Sequence, residues 1–247
     1  MKGINHRNLA RRKHEIEARL APRNWDDQPA PMFATRSVQY EMSDRIRATG
    51  AGGIGAIHQM VRWLGLDRTI DESLVLLKRH LPYHESDHVL NIAYSLMAGG
   101  TKLEDIELLR QDAPYMDLLG ADRIPDPTTA GDFLRRWTKD QIEVLMDKVN
   151  ETRAVMWRSQ PKGFRQRAVI DADGLVAPTL GEKKRGMGMS YKGIWGYNPL
   201  LISLANTEEP LFVVNRPGNV ASHEGCVKWI DKAITLCEGE FEEVWLR

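Results

Sequence analysis

The chain has 247 residues, 42% of them hydrophobic, with 34 Lys and Arg against 34 Asp and Glu. That length supports a sizeable core in two modest domains, and a zero formal charge by itself points to no particular partner. Cys226 and Cys237 are too few for a disulfide framework and lack the CxxC or clustered His of a zinc site, so both read as reduced thiols. The N-terminus lacks the apolar core of a signal peptide, and no uncharged apolar run reaches membrane-spanning length. A soluble, cytoplasmic protein is expected.

Charge is uneven along the chain. Residues 1–24 carry Lys2, Arg7, Arg11, Arg12, Lys13, Arg19 and Arg23 against Glu15 and Glu17, whereas the last ten residues carry Glu238, Glu240, Glu242 and Glu243. The basic stretch from Asn5 to Leu20 reads as a helix, either plainly solvated or, together with Arg45 and Arg47, a DNA-binding surface. Arg135, Arg136, Arg153 and Arg158 are open to the same two readings. Residues 1 to about 160 read as helical throughout. Thr69-x-x-Glu72, Thr101-x-x-Glu104 and Thr138-x-x-Gln141 fit capping boxes, and Ser86 fits a cap for a helix through Leu96, with Gly99-Gly100 as its stop. The Gly50–Gly55 run separates two helices and lacks the strand and Gly-Lys-Ser/Thr of a phosphate loop. His80, His84 and His88 recur every four residues, but Pro82 argues against the unbroken helix that would align them as ligands. The tryptophans, including Trp63, Trp137, Trp195 and Trp245, read as core rather than as base-stacking platforms.

Near Gln160–Gly163 the pattern changes period. Arg167–Val176, Tyr197–Ala205 and Pro210–Val214 read as strands. A helix from Ser222 to Leu236 follows, with Val227, Ile230, Ala233 and Ile234 on its buried face, and then a fourth strand at Phe241–Leu246. Within the first strand, Asp171 and Asp173 share one face about 6 to 7 Å apart. Two carboxylates in an apolar run need a metal, a basic partner or a wet strand end, and an Asp173-Gly174 turn is as consistent with the residues as a metal site. Between the first two strands, Lys183, Lys184, Arg185, Tyr191 and Lys192 form a basic cluster with an aromatic residue, suited to gripping phosphates.

These residues resemble bacterial insertion-sequence transposases of the DDE class. Asp171, Asp173, Pro178 and Gly181 keep that group's Asp-x-Asp-x-x-x-x-Pro-x-x-Gly frame, and Tyr191–Gly193, Gly196–Leu201, Asn215–Asn219 and His223–Gly225 look like its other markers. Gly99–Asp105 and Asp126–Thr129 resemble its N-terminal region. Leu175 departs from it, standing where relatives carry Thr or Ser. The resemblance implies an α+β chain: a helical DNA-end-binding region at 1–160, then at 161–247 the first half of a ribonuclease-H-like domain, with three antiparallel strands, a helix and a fourth strand. It implies cleavage at an element's terminal repeats and joining to target DNA in the nucleoid, with two Mg²⁺ or Mn²⁺ ions about 4 Å apart serving an in-line phosphoryl displacement. Asp173, ahead of Asp171, is the implied metal ligand. The family's second Asp and its Glu are not found in these residues. The resemblance therefore implies an N-terminal fragment, weak in metal binding and inactive alone. A homo-oligomer or a full-length transposase is its implied protein partner. Two other readings stay open: a non-catalytic DNA-binding remnant or regulator of transposition, and a helical interaction module without DNA affinity. An unpaired fourth-strand edge is expected to promote self-association.

Overall fold

A computed structural model describes residues 10–14, 16–18, 31–33, 49–80, 82–181 and 184–247. The chain divides into two compact units, Met1–Leu145 and Met146–Arg247, each with its own core. Among the described residues, no helix is long and apolar enough to cross a membrane.

The first unit is helical. Residues 10–14 and 16–18 are helical, and after them come α1 (Ile54–Leu64), α2 (Leu66–Ser73), α3 (Glu85–Met97), a 3-10 turn (Leu103–Asp105), α4 (Ile106–Gln111), α5 (Ala113–Leu119) and α6 (Pro127–Leu134). The division between units falls within α7 (Lys139–Arg158). Phe33, Ile54, Val61, Leu90, Tyr94, Ile106, Tyr115, Leu119 and Ile124 form the main core; Ile70, Leu74, Leu76 and Phe133 form a second. Each such buried side chain contributes about 1.5 to 3 kcal/mol.

Three consecutive residues at the start of α3 tie this unit together. The Glu85 carboxylate accepts the Leu76 and Leu77 amides at 2.9 Å each, Ser86 donates its amide and hydroxyl to Asp71 of α2, and buried Asp87 accepts the amides of Met32, Phe33 and His84 at 2.8 to 2.9 Å. The expected Ser86 cap is thus corrected: Asp87 closes the first turn, because the Ser86 hydroxyl is engaged by Asp71. The Thr69 box is also corrected, since Thr69 lies inside α2, which already begins at Leu66. At Thr101 the capping acceptor is Asp105, which takes the Thr101 and Lys102 amides, rather than Glu104. Thr138 and Gln141 do form the reciprocal pair, at 3.1 and 3.4 Å. Asp112 and Asp126 cap α5 and α6, each followed within two residues by a proline that lacks the N–H a first turn leaves unpaired.

In the second unit, a four-stranded sheet has the order β6-β5-β1-β7, comprising β1 (Arg167–Gly174), β5 (Leu200–Leu204), β6 (Glu209–Val214) and β7 (Glu243–Leu246). β1, β5 and β6 pair antiparallel, and β7, reached through α8 (Cys226–Glu238), lies parallel to β1. Ala168 and Ile170 face α8 and the second half of α7, meeting Ile202, Leu204, Ala233, Cys237, Ala154 and Trp157 in one buried cluster. Burial pushes the Cys237 thiol up to about 12, so it stays protonated. Val227, expected on the buried face of α8, is 66% exposed; the face that packs runs through Trp229, Ile230, Ala233 and Cys237.

The expected strand Tyr197–Ala205 is two strands. Trp195–Tyr197 (β4) joins β2 (Ala177–Pro178) and β3 (Gly188–Met189) in a separate small sheet of order β2-β4-β3, and the chain turns at Asn198-Pro199 before β5. Trp157 is buried, as expected of a core tryptophan, but Trp63, Trp195 and Trp245 are about half exposed or more.

Candidate functional site

Alternation along β1 places Arg167, Val169, Asp171 and Asp173 on the sheet face opposite the α8 core. Asp171 lies across from Ser203, and Asp173 from Leu201. The parallel ladder sets Val169 beside Trp245 and Ile170 beside Leu246, so the next residue, Arg247, reaches the Asp171 carboxylate in an ion pair. Four residues earlier on each strand, Arg167 donates to Glu243 at 2.9 Å and lies 3.8 Å over the Trp245 ring. Cation and anion therefore alternate along the β1–β7 seam. Asp173 lies beyond it, exposed, and among the described residues accepts one hydrogen bond, from the Gly174 amide at 2.7 Å. One of the two carboxylates is committed to a cation within the chain, and the other keeps an oxygen open to a ligand.

The end of β1 abuts a built turn. A Cβ at Gly174 would lie 3.0 Å from the Asn198 side-chain oxygen and 3.1 Å from the Ser222 hydroxyl. Buried Arg216 organises that turn: it donates to the carbonyls of Asn198 (3.0 Å), Ser222 (3.2 Å) and Glu224 (2.7 Å), while the Asn198 amide returns a bond to the Arg216 carbonyl at 2.9 Å. A guanidinium with several fixed donors is suited to collecting carbonyls that a loop leaves unpaired. The Asn215–Asn219 and His223–Gly225 markers therefore belong to the frame around Asp173, a role their residue types alone did not disclose.

The basic cluster lies on the small sheet. Ser190 closes a tight turn, its hydroxyl accepting the Ile194 amide at 3.0 Å, and Tyr191 and Lys192 stand at the tip between β3 and β4, with Tyr191 83% exposed. The Lys192 ammonium sits 5.4 Å from the Tyr191 ring. Lys184 instead donates to Thr179 at 3.1 Å, and the Arg185 carbonyl accepts from Tyr197. Below the tip the layers touch by backbone: a Cβ at Gly196 would meet the Ala177 carbonyl at 2.2 Å, and one at Gly218 the Gly188 carbonyl at 2.3 Å. Only glycine fits at either position.

Lys183, Arg45 and Arg47 lie outside the described residues, as do Lys2, Arg7, Arg19 and Arg23. Arg11, Arg12 and Lys13 are exposed on the N-terminal helical segment, where Lys13 pairs with Glu17 at 3.7 Å. Among the described residues there is no group of three or more His, Cys, Asp or Glu able to hold a metal ion. His80 and His84 stack at 4.5 Å, while His88 stacks on Phe133 at 4.4 Å instead of joining them.

No curated protein and no solved structure matches the chain. A family model for the transposase DDE domain, group 1, matches residues 32–246, which span both units. The chain belongs to the family of DDE-domain transposases.

Proposed function

We propose that this transposase acts by metal-dependent cleavage and joining of DNA at the ends of an insertion sequence, with a ribonuclease-H-like sheet unit and Asp173 as its principal carboxylate ligand. Three antiparallel strands, a helix and a fourth strand parallel to the first support that plan for the unit. The contrast between the two carboxylates carries the assignment: Asp171 is paired with Arg247, and among the described residues Asp173 is bound only by the Gly174 amide.

Members of the family generally use divalent metal ions. The donor set fits a hard cation in kind, since carboxylate oxygen is what Mg²⁺ and Mn²⁺ prefer. When bound, such an ion supplies Lewis-acid activation of the phosphodiester and of the attacking oxygen. Asp173 presents its oxygens at the open end of β1. Asp171 and Arg247 fix the strand register beside it, and the Asn198–Ser222 turn walls its other side. Tyr191 and Lys192 offer a ring face and an ammonium to DNA phosphates and bases at the hairpin tip. One strand's carboxylates leave most of a Mg²⁺ shell to water, so affinity for the metal is weak. The small number of grouped metal donors among the described residues also favours a second reading, a DNA-binding regulator of transposition that does not itself cut.

The test combines DNA gel shifts over a salt series with Mn²⁺-induced NMR line broadening. Retention that weakens with salt, and broadening centred on Asp173 that Asp173→Asn removes while Asp171→Asn leaves it, are expected. Broadening indifferent to Asp173→Asn overturns the ligand assignment. DNA nicking with Mg²⁺ or Mn²⁺ by the chain alone, lost in Asp173→Ala, overturns the regulator reading.

A further inference from the structure

Two neighbouring cavities in the helical unit share Tyr83, Arg123 and Asp126 as lining residues. One, about 630 Å³, is lined further by Lys78, Arg79 and Arg136; the other, about 410 Å³, by Arg12 and Arg110. Six cations thus line a continuous pair of cavities against three carboxylates, Asp122, Asp126 and Asp132. Partners exist on both sides: Asp126 accepts the Thr128 and Thr129 amides and the Thr129 hydroxyl and Asp132 pairs with Arg135, while among the cations Arg110 pairs with Glu107 and Arg136 donates to the Leu76 carbonyl at 3.4 Å. Lys78 and Arg79 are exposed in the segment between α2 and α3. The floor is aromatic and uncharged, with buried His88 stacked on Phe133 and Tyr83 edge-on to His88 at 5.6 Å. Burial lowers the His88 imidazole to about 4 and pushes the Tyr83 hydroxyl up to about 12, so near neutral pH the ring is neutral and the phenol can donate.

We propose that this double cavity is a DNA-contact groove of the helical unit, taking successive phosphates of one strand, with Arg123 and Tyr83 at the junction between them. A single anion needs one cavity and two or three donors. Cations spread from Arg12 through Arg123 to Arg136 across two joined cavities fit a polyanion with repeating charge. The inference rests on the DNA-processing reading above and adds to it a surface remote in sequence from the Tyr191 tip. The residues come from the N-terminal helical segment, the α2–α3 segment, α4, the α5–α6 connection and the chain just after α6, so no single run in the sequence announces them.

The experiment is fluorescence anisotropy of a labelled mixed-sequence oligonucleotide across a salt series. The wild-type chain is compared with the double variant Lys78→Gln/Arg79→Gln and the single variant Asp132→Asn. The double variant is expected to bind about tenfold more weakly at low salt, with the slope of log affinity against log salt reduced by about 2. Asp132→Asn removes a carboxylate from the wall and is expected to bind on the order of two- to threefold more tightly, which keeps the test decisive should the double variant misfold. Wild-type binding with unchanged slope and affinity in both variants removes the groove and leaves the DNA-processing reading standing. Failure of the wild-type chain to bind DNA at the lowest salt removes both.

Discussion

The two units meet the same structural demand with opposite charges. In the helical unit, Asp87 is buried and gathers the Met32, Phe33 and His84 amides; in the sheet unit, buried Arg216 gathers the Asn198, Ser222 and Glu224 carbonyls. Each holds an irregular segment that has no ladder of its own. The difference lies in what acid does to the two posts. Burial pushes the Asp87 carboxyl up to about 6 even against its three amide donors, so it can discharge in mild acid, whereas a guanidinium stays charged at every working pH. One unit is pinned by a titratable post and the other by a permanent one.

Removing the permanent post should have the largest effect. Arg216→Leu leaves several carbonyls without their donor and is expected to cost about 3 to 5 kcal/mol, measured by denaturant unfolding, with early hydrogen exchange at the Asn198 amide. Loss below 1 kcal/mol would reduce Arg216 to a surface residue. Asp87→Ala should cost about 2 to 4 kcal/mol and release the Met32 and Phe33 amides to exchange, while Asp87→Asn keeps one acceptor oxygen and costs less.

Acid titration sharpens the contrast further. His58 and His88 are lowered by burial from 6.5 to about 4, so their contribution is full above pH 6.5 and is lost as pH falls through about 4. Asp87 works the other way, contributing below 3.8 and losing that contribution as pH rises through about 6. Asp71, pushed up by burial, acts in the same sense as Asp87. Glu85 acts in the sense of the histidines: burial opposes its ionisation, but the Leu77 and Leu76 amides hold its carboxyl low. Between pH 4 and 6 the two lowered imidazoles outweigh the one raised Asp87 carboxyl, so across these three groups the unfolded chain binds about one proton more than the folded one. Stability should therefore rise with pH there by up to about 1.4 kcal/mol per pH unit. His88→Phe keeps the stack on Phe133 and should flatten that slope; an unchanged slope would show that other groups set it.

The smallest effect separates local caps from buried posts. Thr138→Ala is expected to lower stability by about 1 kcal/mol, whereas Thr69→Ala, inside α2, lacks any cap to lose. Equal costs at the two positions would break this distinction.

What the sequence disclosed follows how local each interaction is. The Thr138–Gln141 cap was legible because its partners are three residues apart, and the Asp171–Asp173 face because alternation alone sets it. The Thr69 pattern misled because buried Ile70 belongs to a helix that begins earlier, at Leu66. The break at Asn198-Pro199 was missed because apolar residues continue through it, and the corner depends on Arg216, 18 residues away. The Arg247–Asp171 pair spans 76 positions through a parallel register that residue types do not reveal. The small sheet has strands of two or three residues, too short for any period to show.

That small sheet separates holding from touching. Its contacts at Gly196 and Gly218 are backbone against backbone, without side chains to match, so the joint is indifferent to what the tip carries. Tyr191 and Lys192 project from it like interchangeable tool heads on a fixed mount. One or two residues at the tip can therefore change without asking the carboxylate strand or its Arg216 frame to move.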